Sequence, residues 1–221
     1  MIKIANHKIE NYGVFEVAGM TSRQSFFNEL AETWENRFHT KELVDFLEKL
    51  VPLFGLRSGQ KILDVGTGTG LLIPFLLQEV GPSGHIVAID YAAKMVKVCR
   101  SKYGEFSNVS FAVQKIEQID YPDESFDAVT CFGLFPHLEN RAEALRQMYR
   151  VLKPEGRLII AHALSSQEIK AHHQSSASVV AHDALPISSE MRQILKQIGF
   201  FRISITDKPG CYLCLSWKSS N

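Results

Sequence analysis

Apolar positions change period along this chain. Between residues 22 and 54 they recur every three to four residues, as Phe26, Phe27, Leu30, Trp34 and Phe38, then Leu43, Phe46, Leu47, Leu50 and Val51. That spacing lines one face of a helix. It predicts a helix starting near Arg23, capped by Thr21 or Ser22, and a second over about Lys41 to Phe54. From Lys61 onward, short apolar runs of strand length alternate with longer amphipathic segments. Strands are predicted at 61–65, 85–90, 109–113, 126–131 and 156–163, and helices at 71–80, 91–103, 139–152 and 188–198. Such alternation predicts a parallel sheet whose right-handed crossovers lay helices on both faces. The end of the chain differs. Phe201 to Asp207 and Cys211 to Trp217 flank Lys208-Pro209-Gly210, which predicts an antiparallel hairpin around a Pro-Gly turn. The expected class is α/β, doubly wound and mostly parallel.

The first strand runs straight into glycines: Ile62-Leu63-Asp64-Val65-Gly66-Thr67-Gly68-Thr69-Gly70. A strand, a glycine turn and a helix allow the backbone to approach a nucleotide-like ligand closely. Asp90 stands at the tip of the second strand, twenty residues after Gly70, where a doubly wound fold hydrogen-bonds a ribose. The glycines are not spaced as G-x-G-x-x-G, since position 71 is Leu, which counts against a nicotinamide site. No Gly-Lys-Ser/Thr follows, which excludes a phosphate-binding P-loop.

Four stretches together carry a specific resemblance: Asp64-Val-Gly-Thr-Gly-Thr-Gly70, Ala88-Ile-Asp90, Phe126-Asp127 and Leu152-Lys-Pro-Glu-Gly156. Over roughly residues 22 to 217 the chain resembles the class I S-adenosylmethionine-dependent methyltransferases, in the small-molecule (type 11) branch that includes the quinone-ring C-methyltransferases. The resemblance implies a seven-stranded Rossmann-like sheet ending in the antiparallel hairpin. It implies S-adenosyl-L-methionine as cofactor, S-adenosyl-L-homocysteine as product, and in-line methyl transfer to a small-molecule acceptor. Gly66, Thr67, Gly68 and Gly70 would pass the methionyl part, Asp64 would orient the ammonium, and Asp90 would accept from the ribose hydroxyls. Tyr91 and Met95 would pack near the adenine, although a core role suits Met95 equally. Phe132 and Gly133 would lie against the cofactor, and Phe135 and His137 would wall the pocket. One place departs from the pattern. Where many relatives have Gly-Asp-Ala, this chain has Gln114-Lys115-Ile116, and a lysine cannot accept from the adenine amino group. A noncatalytic S-adenosylmethionine-binding protein, and less so an NAD-dependent oxidoreductase, remain alternatives.

A chain of 221 residues fits one domain with a small cap. The expected division is an N-terminal arm and helical cap over 1–55 and a methyltransferase domain over 56–221. Within the latter, the segment 164–186 is too long for a plain connection and reads as a lid over the carboxyl edge of the sheet. Lys plus Arg equals Asp plus Glu, at 24 each, which gives no support to nucleic acid as partner. No apolar run approaches the roughly 18 residues of a membrane span, and the start lacks the apolar core of a secretory signal; the reading is a cytoplasmic monomer or homodimer. Cys211 and Cys214 form a C-x-x-C, but on a strand an offset of three sets them on opposite faces. The histidines stand out, four of eight falling at 162, 172, 173 and 182, with Asp183 next. Imidazole titrates near neutral pH and suits general-base work. His137, His172, His173 and His182 are therefore the candidate catalytic residues, with metal binding or a plain polar lid as rival uses. No metal ligand is assigned, because zinc-type His spacing is missing.

Overall fold

The computed structural model describes residues 22–175 and 179–220. The arm expected over residues 1–20 lies outside them. Three short helices open the described chain: α1 (Arg23–Leu30), α2 (Trp34–Phe38) and α3 (Lys41–Leu50). Ser22 accepts from Ser25 N, as the capping pattern requires. The helical spacing from Phe26 to Phe38 is broken by a turn at residues 31–33, so the aromatic stripe spans α1 and α2. A 3-10 turn at Val51–Phe54 closes α3. It carries Pro52, which has no N–H to extend the helix.

Strands and helices then alternate: β1 (Lys61–Val65), α4 (Ile73–Val80), β2 (His85–Asp90), α5 (Ala93–Tyr103), β3 (Val109–Val113), β4 (Phe126–Phe132), α6 (Arg141–Val151) and β5 (Leu152–His162). After β5 come α7 (Ser166–Gln174), α8 (Ser188–Ile198), β6 (Phe200–Lys208) and β7 (Cys211–Lys218). One seven-stranded sheet has the order β3-β2-β1-β4-β5-β7-β6, parallel from β3 to β5, with β7 antiparallel to both neighbours. The expected class therefore stands. The Pro209-Gly210 hairpin pairs Lys208 with Cys211, and Gly210 takes φ 74° there. Strand β5 begins four residues earlier than expected. Leu152 pairs with Phe126 ahead of a register shift, and Glu155, at φ 59°, lies in that irregular stretch.

Alternation along the strands feeds two cores. Ile62, Ile86, Ala88 and Ile159 face α3, α4 and Cys99 of α5. Leu63, Val87, Val129 and Ile160 face α6 and α8, through Leu145, Met148, Met191 and Leu195. Cys211 belongs to the first layer and Cys214 to the second, as the period-two argument required. The chain reverses its winding between β1 and β4, and that switch point is where open α/β sheets bind ligands.

Segment 164–186 is not a plain loop. It contains α7, whose start is a capping box: Ser165 Oγ accepts from Glu168 N, and the Glu168 carboxylate accepts from Ser165 N. Glu168 also accepts from Gly210 N, and Asp207 accepts from Ser166 N, so α7 is fastened to the terminal hairpin.

Candidate active site

The carboxyl edge of the sheet opens into a cavity of about 180 Å3. Strand ends supply its floor, with Asp64 from β1, Asp90 from β2, Phe132 and Gly133 after β4 and His162 from β5. Helices α1 and α2 supply an aromatic wall of Phe26, Phe27, Trp34 and Phe38. Helix α7 supplies His172 and His173.

Asp64 is buried in the first core layer. Its Oδ1 accepts from Thr130 Oγ1 at 2.7 Å, while its Oδ2 is buried with no hydrogen-bond partner. Burial raises its pKa against the hydrogen bond of Thr130. A buried carboxylate oxygen without a partner carries the full cost of its desolvation, and a cationic ligand group in the cavity would remove that cost. Asp90 accepts from Gly68 N at 3.0 Å and from Ala92 N at 2.9 Å, one bond on each oxygen. Each oxygen keeps a further acceptor position. Burial pushes the Asp90 carboxyl up to about 6 despite these amides.

The glycines divide by task. A Cβ on Gly70 would lie 2.6 Å from Tyr103 and 2.8 Å from Cys99, so this glycine lets α5 close on the loop. A Cβ on Gly66 would meet Leu134 at 2.6 Å. Gly68, at φ 55°, has nothing within 4 Å of its Cβ position, and the same holds for Gly133. Both line the cavity, so the open space there is space for a ligand. Thr67 is buried beside Cys99, with its N–H held by Ile89 O. Tyr91 and Met95 also line the cavity, and Met95 packs with Ala31 and Ala92 between α1 and α5.

Gln114, Lys115 and Ile116 line a smaller adjoining hollow that shares Gly66, Asp90, Tyr91, Leu134 and His137 with the main cavity. Gln114 N donates to Asp90 O, and its side-chain oxygen accepts from Asp120 N. The Lys115 ammonium pairs with Glu139 at 2.6 Å. The lysine standing in the acidic position is thus committed to a carboxylate across the hollow.

The histidines do not act as one group. His137 sits in a 3-10 turn after β4, and its Nδ1 lies 2.8 Å from Asp183 Oδ2. His173 Nδ1 donates to Asp183 O at 2.6 Å. The rings of His137 and His173 stand 5.0 Å apart, and those of His172 and His173 5.7 Å. His162 accepts from Leu164 N through Nδ1 and stacks near Phe132. Burial lowers His162 to about 3 and His173 to about 4, and it lowers His172 as well; neighbouring imidazoles add to each. His182 is exposed and does not line the cavity. The residue beside it does the gathering instead. Asp183 takes a two-pronged contact from the Arg23 guanidinium, with Nε to Oδ2 at 3.0 Å and the second nitrogen on Oδ1. Burial would raise the Asp183 carboxyl, but hydrogen bonds from His137 and Arg23 hold it at about 2. Among the described residues no cluster of three His, Cys, Asp or Glu side chains is placed to hold a metal ion.

Sequence reasoning singled out His162 in the histidine run without making it a candidate catalytic residue, and it missed Arg23 and the hub role of Asp183. Only the histidine run hinted at it, because an ion pair between residues 160 positions apart leaves no local pattern.

A family model described as a methyltransferase domain matches residues 56–200. Among curated proteins, the ubiquinone/menaquinone biosynthesis C-methyltransferase UbiE of Pseudomonas paraeruginosa is 45% identical over 114 residues, covering 50% of this chain and 44% of that protein. Its Pseudomonas aeruginosa counterpart is 44% identical over the same length. The matched stretch thus spans less than half the length of these relatives. Among solved structures, a SAM-dependent methyltransferase from Aquifex aeolicus superposes with a TM-score of 0.66 at 23% identity, covering 89% of this chain and 99% of that one. Phosphoethanolamine N-methyltransferase 2 of Haemonchus contortus, in complex with S-adenosyl-L-methionine, gives 0.74 at 16%, covering 91% of this chain and 61% of that one. At these identities the structural matches establish the fold.

Proposed function

Because the chain belongs to the methyltransferase domain family, we propose that it moves the methyl group of S-adenosyl-L-methionine to an uncharged, planar, largely apolar acceptor. The observation that carries this reading is the make-up of one cavity. Its lining holds Asp64 with its orphaned oxygen, Asp90, and the open glycines 68 and 133. It also holds the rings of Phe26, Phe27, Trp34 and Phe38 and five imidazoles, with no Lys or Arg among the described residues that line it.

The residues fit the cofactor. Asp64 Oδ2 would take an ammonium, the free acceptor positions of Asp90 two vicinal hydroxyls, and the hollow beside Gln114 and Ile116 the adenine. When bound, the cofactor supplies a methyl group made electrophilic by a sulfonium sulfur. The chain's part is to hold the acceptor in line and keep water out. Phe26, Phe27, Trp34 and Phe38 offer flat apolar area for that purpose. The absence of Lys and Arg among the described lining residues disfavours phosphate- or carboxylate-bearing acceptors, since a buried anion needs a paired charge.

The curated relatives are named for ubiquinone and menaquinone biosynthesis, which supports a hydroquinone ring as acceptor. The test is methyl-labelled cofactor with a reduced naphthoquinone, run beside a phosphorylated amine. Label in the extracted hydroquinone, and none in the amine, is the expected result. Transfer to the anionic substrate alone would overturn the reading.

A further inference from the structure

Four imidazoles line the cavity besides His39, and that of His137 is gripped by a carboxylate. Asp183 Oδ2 is 2.8 Å from His137 Nδ1. Hydrogen bonds hold the Asp183 carboxyl at about 2 against burial, so it is ionised at neutral pH and can only accept. The proton of this bond therefore sits on His137 Nδ1, and in the neutral form of the ring the lone pair lies on Nε2. No hydrogen bond from Nε2 exists among the described residues. The ring's position is fixed from several sides. Phe27 packs edge-on at 5.5 Å, and Arg141 braces the turn through Pro136 O at 3.0 Å. Asp183 is fixed in turn by the Arg23 guanidinium and by its own N–H to Val180 O.

We propose that Asp183 is the positioning residue of His137, holding the imidazole as the Nδ1–H tautomer so that Nε2 takes the proton of the methyl acceptor, and that Arg23 on α1 keeps Asp183 in place. This rests on the reading that the protein is a methyltransferase, and it narrows the acceptor to one that must lose a proton. In that step the acceptor's O–H proton passes to His137 Nε2 as the oxygen, or the ring carbon it activates, bonds to the methyl carbon; where carbon is methylated, its C–H proton then leaves to solvent and restores the aromatic ring. The methyl–sulfur bond breaks with its electron pair left on sulfur, and the imidazolium later releases its proton to solvent. His173 cannot take this part as well. Its Nδ1–H meets a neutral backbone carbonyl, which stabilises an imidazolium less than a carboxylate does, and burial and the neighbouring imidazoles make it a poor base at about 4.

The experiment is nitrogen NMR of the full-length protein with 15N-labelled histidine, with S-adenosylhomocysteine added, for wild type, Asp183→Asn and His137→Gln. The last assigns the ring. Turnover of a reduced naphthoquinone is measured in parallel. Wild-type His137 is expected as the Nδ1–H tautomer. In Asp183→Asn the amide can donate to Nδ1, and the ring should switch to Nε2–H. With the lone pair turned away, kcat should fall on the order of 100-fold, in the range of general-base contributions, while KM and homocysteine-analogue affinity hold within about threefold of wild type, as expected when a group acts only in the transition state. An Nε2–H tautomer in wild type would overturn the proposal without any variant. So would a switched tautomer with unchanged kcat, or a loss confined to KM. If wild type transfers no methyl to the hydroquinone, the acceptor assignment fails by itself, and the wild-type tautomer still decides the role of Asp183.

Discussion

The two proposed functional ends of the candidate site are built in opposite ways. The proposed cofactor end comes from consecutive sequence: Asp64 through Gly70 on one turn, and Asp90 at the next strand tip. Its hydrogen bonds run largely to backbone amides, as at Gly68 N and Ala92 N. The proposed acceptor end is assembled from α1, the turn after β4, β5, α7 and the segment at Asp183, joined by side chains such as Arg23 and Asp183. A backbone-built site survives surface drift in sequence, whereas a side-chain-built site can be re-specified by a few substitutions. Chemistry common to a family fits the first kind, and choice of acceptor fits the second.

The sharpest way to break that comparison is Asp90→Ala. It removes both ribose acceptors and strands two inward-facing amides, so cofactor affinity by calorimetry should fall by about 100-fold or more, since each charge-assisted bond is worth roughly 1.5–3 kcal/mol. Unchanged affinity would sink the ribose assignment. Next come the two glycines. Gly70→Ala pushes a methyl into Tyr103 and Cys99 and should lower stability by about 2–4 kcal/mol, as overpacking and a positive φ combine. Gly68→Ala meets no atom, so thermal unfolding should show only the roughly 1 kcal/mol backbone cost while cofactor binding suffers more. Equal behaviour of the two would erase the division between packing and ligand glycines.

A gentler test is pH. The Asp90 carboxyl lies at about 6, and its ionised form is the better ribose acceptor, so affinity should weaken as pH drops through 6. The sign for folding is opposite at the two ends. Asp90, raised above its unfolded value near 4, holds its proton more tightly when folded, so its drag on stability eases as pH falls from 6. Asp183, held at about 2, contributes stability that is intact above 4 and is lost as pH falls towards 2. Titrations of wild type against Asp183→Asn should differ in that lower window. The smallest effect belongs to His182→Ala, at an exposed position away from the cavity, where stability should stay within about 0.5 kcal/mol. A large activity loss there would mean that the histidine run works as a unit.

Legibility followed the same divide. The strands, the glycine turn and Asp90 were readable because period and spacing are local properties. The opposed faces of Cys211 and Cys214 were readable for the same reason. Helix α7 was not foreseen, although Ser165 and Glu168 stand at capping-box spacing. The single amphipathic stripe from Phe26 to Phe38 hid a break, since Ala31-Glu32-Thr33 carries no Gly or Pro to mark it. His182 was grouped with the other histidines by proximity in sequence, and the structure turns it outward while turning Asp183 in. Sequence neighbours on a turn share no face, and the long-range partners Arg23 and His137 hold Asp183 inward.

The four cysteines have a use unrelated to catalysis. All are free and buried, with Cys99 and Cys211 in one core layer and Cys131 and Cys214 in the other. Each layer therefore carries its own pair of silent chemical reporters. Labelling with a thiol reagent during slow denaturation would time when each layer first admits solvent. Strand β7 contributes a thiol to both, so matched labelling rates would mark one cooperative unit, and a lag between the pairs would mark two foldons sharing a single strand.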